Sequence, residues 1–190
     1  MAEEQVKQYV ATVLTTVPAG FAEDRIYHFS DGRMQPAGRS GLIVQIAPFE
    51  APAWIGIFSH DYRSPAAITQ LVEFTSSPIL CVVAGGQGYI LRADSPASAV
   101  PIGVYPVVCS LQTKDRSLAV FADFTSLSIV DSDGSTWTTP EISYDGVELM
   151  EITPLTIKGV GWDPASNAKV PFIVDLENRT VLGGTTGSLP

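Results

Sequence analysis

Apolar positions along this chain change their period once. Between residues 3 and 17 they recur as Val6, Tyr9, Val10, Val13, Leu14 and Val17, the i, i+3, i+4 spacing of one helical face. Glu3 and Glu4 fall in the first turn, where acids suit the positive end of a helix dipole, and Pro18 and Gly20 stop it. The spacing predicts an N-terminal helix over 3–17 that packs on the chain's own sheet or covers its edge. From Arg25 the helical spacing disappears. Runs at 25–29, 41–46, 53–58, 79–84, 88–93, 104–109, 117–122, 126–131, 135–139, 147–151, 155–160 and 170–175 predict strands. Ile68 to Phe74 fits a strand or a single helical turn. Gly85-Gly86, Ser95-Pro96, Lys114-Asp115, Asp133-Gly134, Asp145-Gly146 and Pro164–Asn167 supply the turns between them. The prediction is a single domain over 1–190, with a mainly β body at 25–182 and a loose tail at 183–190.

Part of that body repeats. Leu80-Cys81-Val82-Val83-Ala84 lies over Leu118-Ala119-Val120-Phe121-Ala122 at an offset of 38 (118 − 80). The same offset sets 88–92 against 126–130, so strand falls on strand. A third copy aligns Ile129-Val130-Asp131 and Thr136 with Ile173-Val174-Asp175 and Thr180 at an offset of 44 (173 − 129). Several short strands in units of this length resemble β-propeller blades. The resemblance covers residues 41–182 and names no specific family. The dipeptide Trp162-Asp163 lacks the Gly-His partner of a WD repeat. Three or four units fit in that span, fewer than most closed propellers hold. The resemblance therefore implies repeated antiparallel units, either a small or partial propeller completed by a second subunit or blade-like sheets stacked in an open array. An antiparallel sandwich or barrel is the alternative.

Composition narrows the partners. The net charge is −9, which repels phosphate backbones and anionic membranes and argues against nucleic acid or a membrane as partner. The start, MAEEQVKQYV, has no basic region or apolar core of a secretory signal, and no apolar run approaches the ~20 residues of a spanning helix. The expected location is cytoplasmic. Cys81 and Cys109 sit in apolar runs, as small buried thiols do.

Candidate chemistry is sparse. Ser59-His60-Asp61-Tyr62-Arg63 is the most mixed polar loop, with residue types suited to a base, an orienting acid and an anion clamp. His60, Asp61, Tyr62, Arg63, Trp162 and Asp163 are the candidate binding residues. His28, between Tyr27 and Phe29, reads as a strand residue. Asp131-Ser-Asp133-Gly134 begins like a calcium loop, but the twelfth position is Ile142 where a Glu is needed, so a hairpin turn is expected. Gly85-Gly86-Gln87-Gly88 is no phosphate loop, because no helix follows it. Asp123, Asp131, Glu141, Asp145, Glu148, Glu151 and Asp163 would serve a glycosidase only if two of them converge across a cleft. No nucleophile elbow or metal spacing is present, so no catalytic residue, metal or cofactor is assigned. The expectation is a non-enzymatic, self-associating interaction protein (homo-oligomeric, with a possible protein partner). A small carbohydrate hydrolase is the alternative, and an acidic partner of a basic protein a third.

Overall fold

A computed structural model describes residues 7–38, 40–60 and 65–185. It contains seventeen strands and one short 3-10 turn, Glu23–Arg25. The chain divides into two compact units, Met1–Ile102 with Ser132–Gly134, and Gly103–Asp131 with Ser135–Pro190.

The first unit holds two sheets. One contains β1 (Tyr9–Leu14), β2 (Ile26–Ser30), β3 (Arg33–Gln35), β4 (Gly41–Pro48) and β5 (Trp54–Ser59), in the order β1-β4-β5-β2-β3. The pair β2–β5 is parallel and the others are antiparallel. The second is an up-and-down sheet of β6 (Gln70–Glu73), β7 (Ile79–Ala84), β8 (Gln87–Arg92) and β9 (Ser95–Pro101). Alternation puts Trp54 and Phe58 of β5 and Phe29 of β2 on one face, against Leu80, Val82, Tyr89 and Leu91. Phe29 stacks on Phe58 with centroids 4.5 Å apart, and Tyr89 meets Phe58 edge-on at 5.1 Å. The polar ends of two buried aromatics find carbonyls: Tyr9 Oη donates to Ile79 O and Trp54 Nε1 to Ala93 O, each at 2.7 Å.

The N-terminal helix expected over 3–17 does not form in its described part, where Tyr9–Leu14 is a strand paired antiparallel with β4. Tyr9, Ala11 and Val13 alternate as well as Val6, Tyr9, Val10 and Val13 step helically, and a six-residue run satisfies both periods. Pairing Tyr9 with Pro48 and Ala11 with Ile46 supplies ladder hydrogen bonds and a buried place for Tyr9 in the core.

The second unit repeats one plan twice. β10 (Cys109–Gln112), β11 (Leu118–Ala122), β12 (Leu127–Asp131) and β13 (Thr136–Thr138) form an antiparallel sheet in chain order. So do β14 (Val147–Ile152), β15 (Thr156–Asp163), β16 (Ala168–Asp175) and β17 (Thr180–Gly183). Leu118, Val120, Leu127 and Ile129 of the third sheet share a core with Val147, Ile157, Phe172 and Val174 of the fourth.

The sequence repeat is structural. The offset of 38 carries β7 onto β11 and β8 onto β12, the second and third strands of their sheets, and the offset of 44 carries β12 onto β16. The four sheets of four to five strands fit blade-like repeats. The strand expected at 104–109 begins only at Cys109, after Pro106 removes a ladder donor. Ser95-Pro96, expected as a turn, opens β9, an edge strand where a proline is tolerated.

Candidate functional site

His60 follows β5 directly and its side chain is exposed. Asp61, Tyr62 and Arg63 lie outside the described residues. His28 is a strand residue as expected, and its neighbourhood holds what the sequence did not reveal. His28 Nδ1 and Ser59 Oγ are buried without a hydrogen-bond partner. The register His28↔Ile57 places both side chains on the same sheet face, with Ser59 two residues further along β5. Gly38 lies against the ring: a Cβ there would come within 2.7 Å of His28 Nδ1.

Trp162 and Asp163 belong to a denser constellation, at one end of the second unit. β10 and β14 begin side by side there, with Cys109 Sγ 3.8 Å from Val147 O. The segments leading into them, 103–108 and 139–146, reach the same end. Ile142 N and Ser143 N both donate to Thr125 O, and Gly146 N to Phe124 O, so 139–146 is fixed on the β11–β12 turn. Val108 N donates to Ala122 O beside the same turn. Trp162 is locked from two sides: its N–H donates to Ser143 Oγ at 2.9 Å, and its carbonyl accepts from Tyr144 N at 2.9 Å. Gly161 permits this closeness, since a Cβ there would stand 2.6 Å from Ile142 O.

Asp163 closes the β15–β16 turn. Its Oδ2 accepts from Ser166 Oγ at 2.7 Å and Ser166 N at 2.9 Å, and its Oδ1 accepts from Thr185 Oγ1 at 2.9 Å. The Ser166 hydroxyl first, then the Ser166 N–H and the Thr185 hydroxyl, hold this carboxyl below the usual carboxylate range. It stays ionised while both oxygens do structural duty. Thr185 N also donates to Ile142 O, which draws the chain at 184–185 onto this end.

Other acids behave similarly. Asp123 accepts from Thr125 N and Ser126 N, each at 2.7 Å, and Asp131 from Ser135 Oγ. Asp115 is lowered by the Thr113 hydroxyl first and then by Ser117, whose turn it closes, and Asp175 by Asn178. Asp131 sits at the opposite end of β12 from Asp123. Glu148 and Glu151 lie on a sheet face, paired with Lys169 at 2.5 Å and Lys158 at 2.7 Å. Of the seven acids weighed for a glycosidase, Asp123, Glu141, Asp145 and Asp163 belong to segments at the Trp162 end, Asp131 to the other end, and Glu148 and Glu151 to the face.

That face is the outer side of the fourth sheet. Cross-strand register lines up Glu151, Lys158, Ile173 and Leu182 in one row, and Glu148, Val160 and Pro171 in the next. Leu182 is 68% exposed and Ile173 40%. Met150, the extra residue of a bulge in β14, and Leu155 in the following turn are also exposed.

Cys81 and Cys109 are both unbridged. Burial pushes both thiols up. Among the described residues no group of three or more His, Cys, Asp or Glu is placed to hold a metal ion, and no helix is long and apolar enough to cross a membrane.

No family model and no curated protein matches the chain. Among solved structures it is similar to one titled "Crystal Structure of the N-terminal Domain of Nup159", at 13% identity and a TM-score of 0.41, over 98% of this chain and 52% of that one. The chain therefore spans about half the length of that structure's chain.

Proposed function

We propose that this chain is a non-enzymatic interaction protein that associates with a second copy of itself through the outer face of the fourth sheet. The observation that carries this reading is the row Glu151–Lys158–Ile173–Leu182 with its exposed apolar half. Exposed apolar side chains gathered on one sheet mark an interaction surface, whereas scattered ones need no explanation.

Charge supports the same face. The molecule carries −9 overall, so two copies repel at most orientations. On this face the acids Glu148 and Glu151 are each paired with a lysine, and Asp175, at the end of β16 on the same side, closes a turn on Asn178, so the patch is nearly neutral. Two copies meet least repulsion there. Four strands of six, eight, eight and four residues, about 4.8 Å apart, project roughly 400 Å² per copy, the size of a weak, transient contact. The association is therefore weak and concentration-dependent.

Light scattering coupled to size exclusion, run over a concentration series, tests this. The expected result is a mass that rises from monomer toward dimer, and a monomer at every concentration for Ile173→Lys with Leu182→Lys. A wild-type chain that stays monomeric throughout would overturn the proposal. So would a double variant that dimerises as well as wild type.

A further inference from the structure

The fourth-sheet face owes its low charge to two side chains. Strands β14 to β17 hold two basic residues, Lys158 and Lys169. Lys158 lies in the row Glu151–Lys158–Ile173–Leu182, and Lys169, two residues before Pro171, is on the same side of β16. Each holds a carboxylate: Lys158 Nζ stands 2.7 Å from Glu151 Oε2, and Lys169 Nζ 2.5 Å from Glu148 Oε2. All four side chains are about half exposed or more, so the pairs add little to the fold itself. What they set is the charge of the face. With Asp175 on the same side, the strands present three acids against two bases there, a balance of −1 (2 − 3), on a molecule of −9.

Two exposed amines that neutralise an association face are a point of control. Acylation turns a lysine ammonium into a neutral amide. Nζ first loses one proton, through the neighbouring carboxylate, to water. It then attacks the carbonyl carbon of an acetyl thioester. The N–C bond forms, the C–S bond breaks, and the departing thiolate takes the second proton. Acylation of both lysines moves the face from −1 to −3 (0 − 3). Packed sheets stand about 10 Å apart, about one Debye length at 0.1 M salt. The released carboxylates of two copies therefore repel across the contact.

We infer that Lys158 and Lys169 are acylation sites through which an acetyl thioester separates associated copies. This rests on the self-association reading above and supplies its control. Both amines are reachable in the free copy, and a weak association always leaves free copies.

Sedimentation velocity of the chain carrying Nε-acetyl-lysine at 158 and 169, installed by codon reassignment, tests it. Association at least about tenfold weaker than wild type is expected. Lys158→Gln with Lys169→Gln gives the same loss. Lys158→Arg with Lys169→Arg keeps both charges and stays within about twofold of wild type. Adding Glu148→Gln and Glu151→Gln to the Gln pair restores association, because the balance returns to −1 (0 − 1). Lys7→Gln with Lys114→Gln makes the same change in net charge, −9 to −11 (−9 − 2), away from this face, and weakens association less. Wild-type chain held with acetyl coenzyme A at about pH 8, where a small share of lysine is unprotonated, gains acetyl groups at both positions by peptide mass spectrometry. Melting curves confirm that each variant is folded. A wild type that never associates overturns the self-association reading and this inference with it. With an associating wild type, the inference alone is overturned if the acetylated chain or the Gln pair associates equally, if the remote pair weakens association as much, or if neither lysine takes up acetyl.

Discussion

At the scale of single residues, the buried groups that ionise late decide how this protein responds to alkali. Burial, then the nearby charges of Glu73 and Cys81, push the Tyr9 phenol up, and burial pushes the Cys81 thiol up. In the unfolded chain a thiol releases its proton near pH 8.5 and a phenol near pH 10. Above those values the native state holds more protons than the unfolded one, so stability is full below them and falls as pH rises. The expected curve of urea midpoint against pH turns down first from Cys81 and more steeply from Tyr9. Cys81→Ala reduces the first loss, leaving the part due to Cys109, and Tyr9→Phe removes the second. Tyr9→Phe also costs about 1–3 kcal/mol at neutral pH, because Ile79 O loses a buried donor. Ser59 points the other way. Its hydroxyl is buried without a partner, so Ser59→Ala is expected to raise stability by about 1 kcal/mol. A loss measured by urea unfolding would show instead that the hydroxyl is in use.

At the scale of elements, glycine placement holds the loop end together. Gly161 faces Ile142 O and Ser143 across a gap with no room for a methyl group. Gly161→Ala is expected to cost about 1–3 kcal/mol and to loosen 139–146 from β15, shifting the emission of Trp162; an unchanged spectrum would separate the loop from the strand. Some elements were readable in the chain and others were not. Gly85 and Gly86 both take positive φ between the partners Ala84 and Gln87, as a Gly-Gly hairpin turn demands. The repeat was legible because β7, β11 and their neighbours are buried nearly throughout, so their apolar runs recur. β1 was not, because its partner strand starts at Gly41 and no local window contains that information. Of the candidate site residues, Trp162 and Asp163 fell at a crowded loop end, yet the sequence did not show that Asp163 spends both oxygens on a turn and on Thr185. The unpartnered His28 Nδ1 and Ser59 Oγ were not legible either, because no strand period reveals a missing hydrogen-bond partner.

At the scale of the whole molecule, net charge sets how self-association responds to salt. Copies carrying −9 each repel over about a Debye length, which shrinks from about 30 Å at 0.01 M to about 10 Å at 0.1 M salt. The fourth-sheet face is nearly neutral and partly apolar, so the contact itself has little charge attraction to lose. Raising salt is therefore expected to strengthen self-association until screening is complete. Sedimentation velocity in a salt series should therefore show a larger share of dimer as salt rises. Self-association that weakens with salt would mean that copies meet through unlike charges, with the row Glu151–Lys158–Ile173–Leu182 no longer its centre.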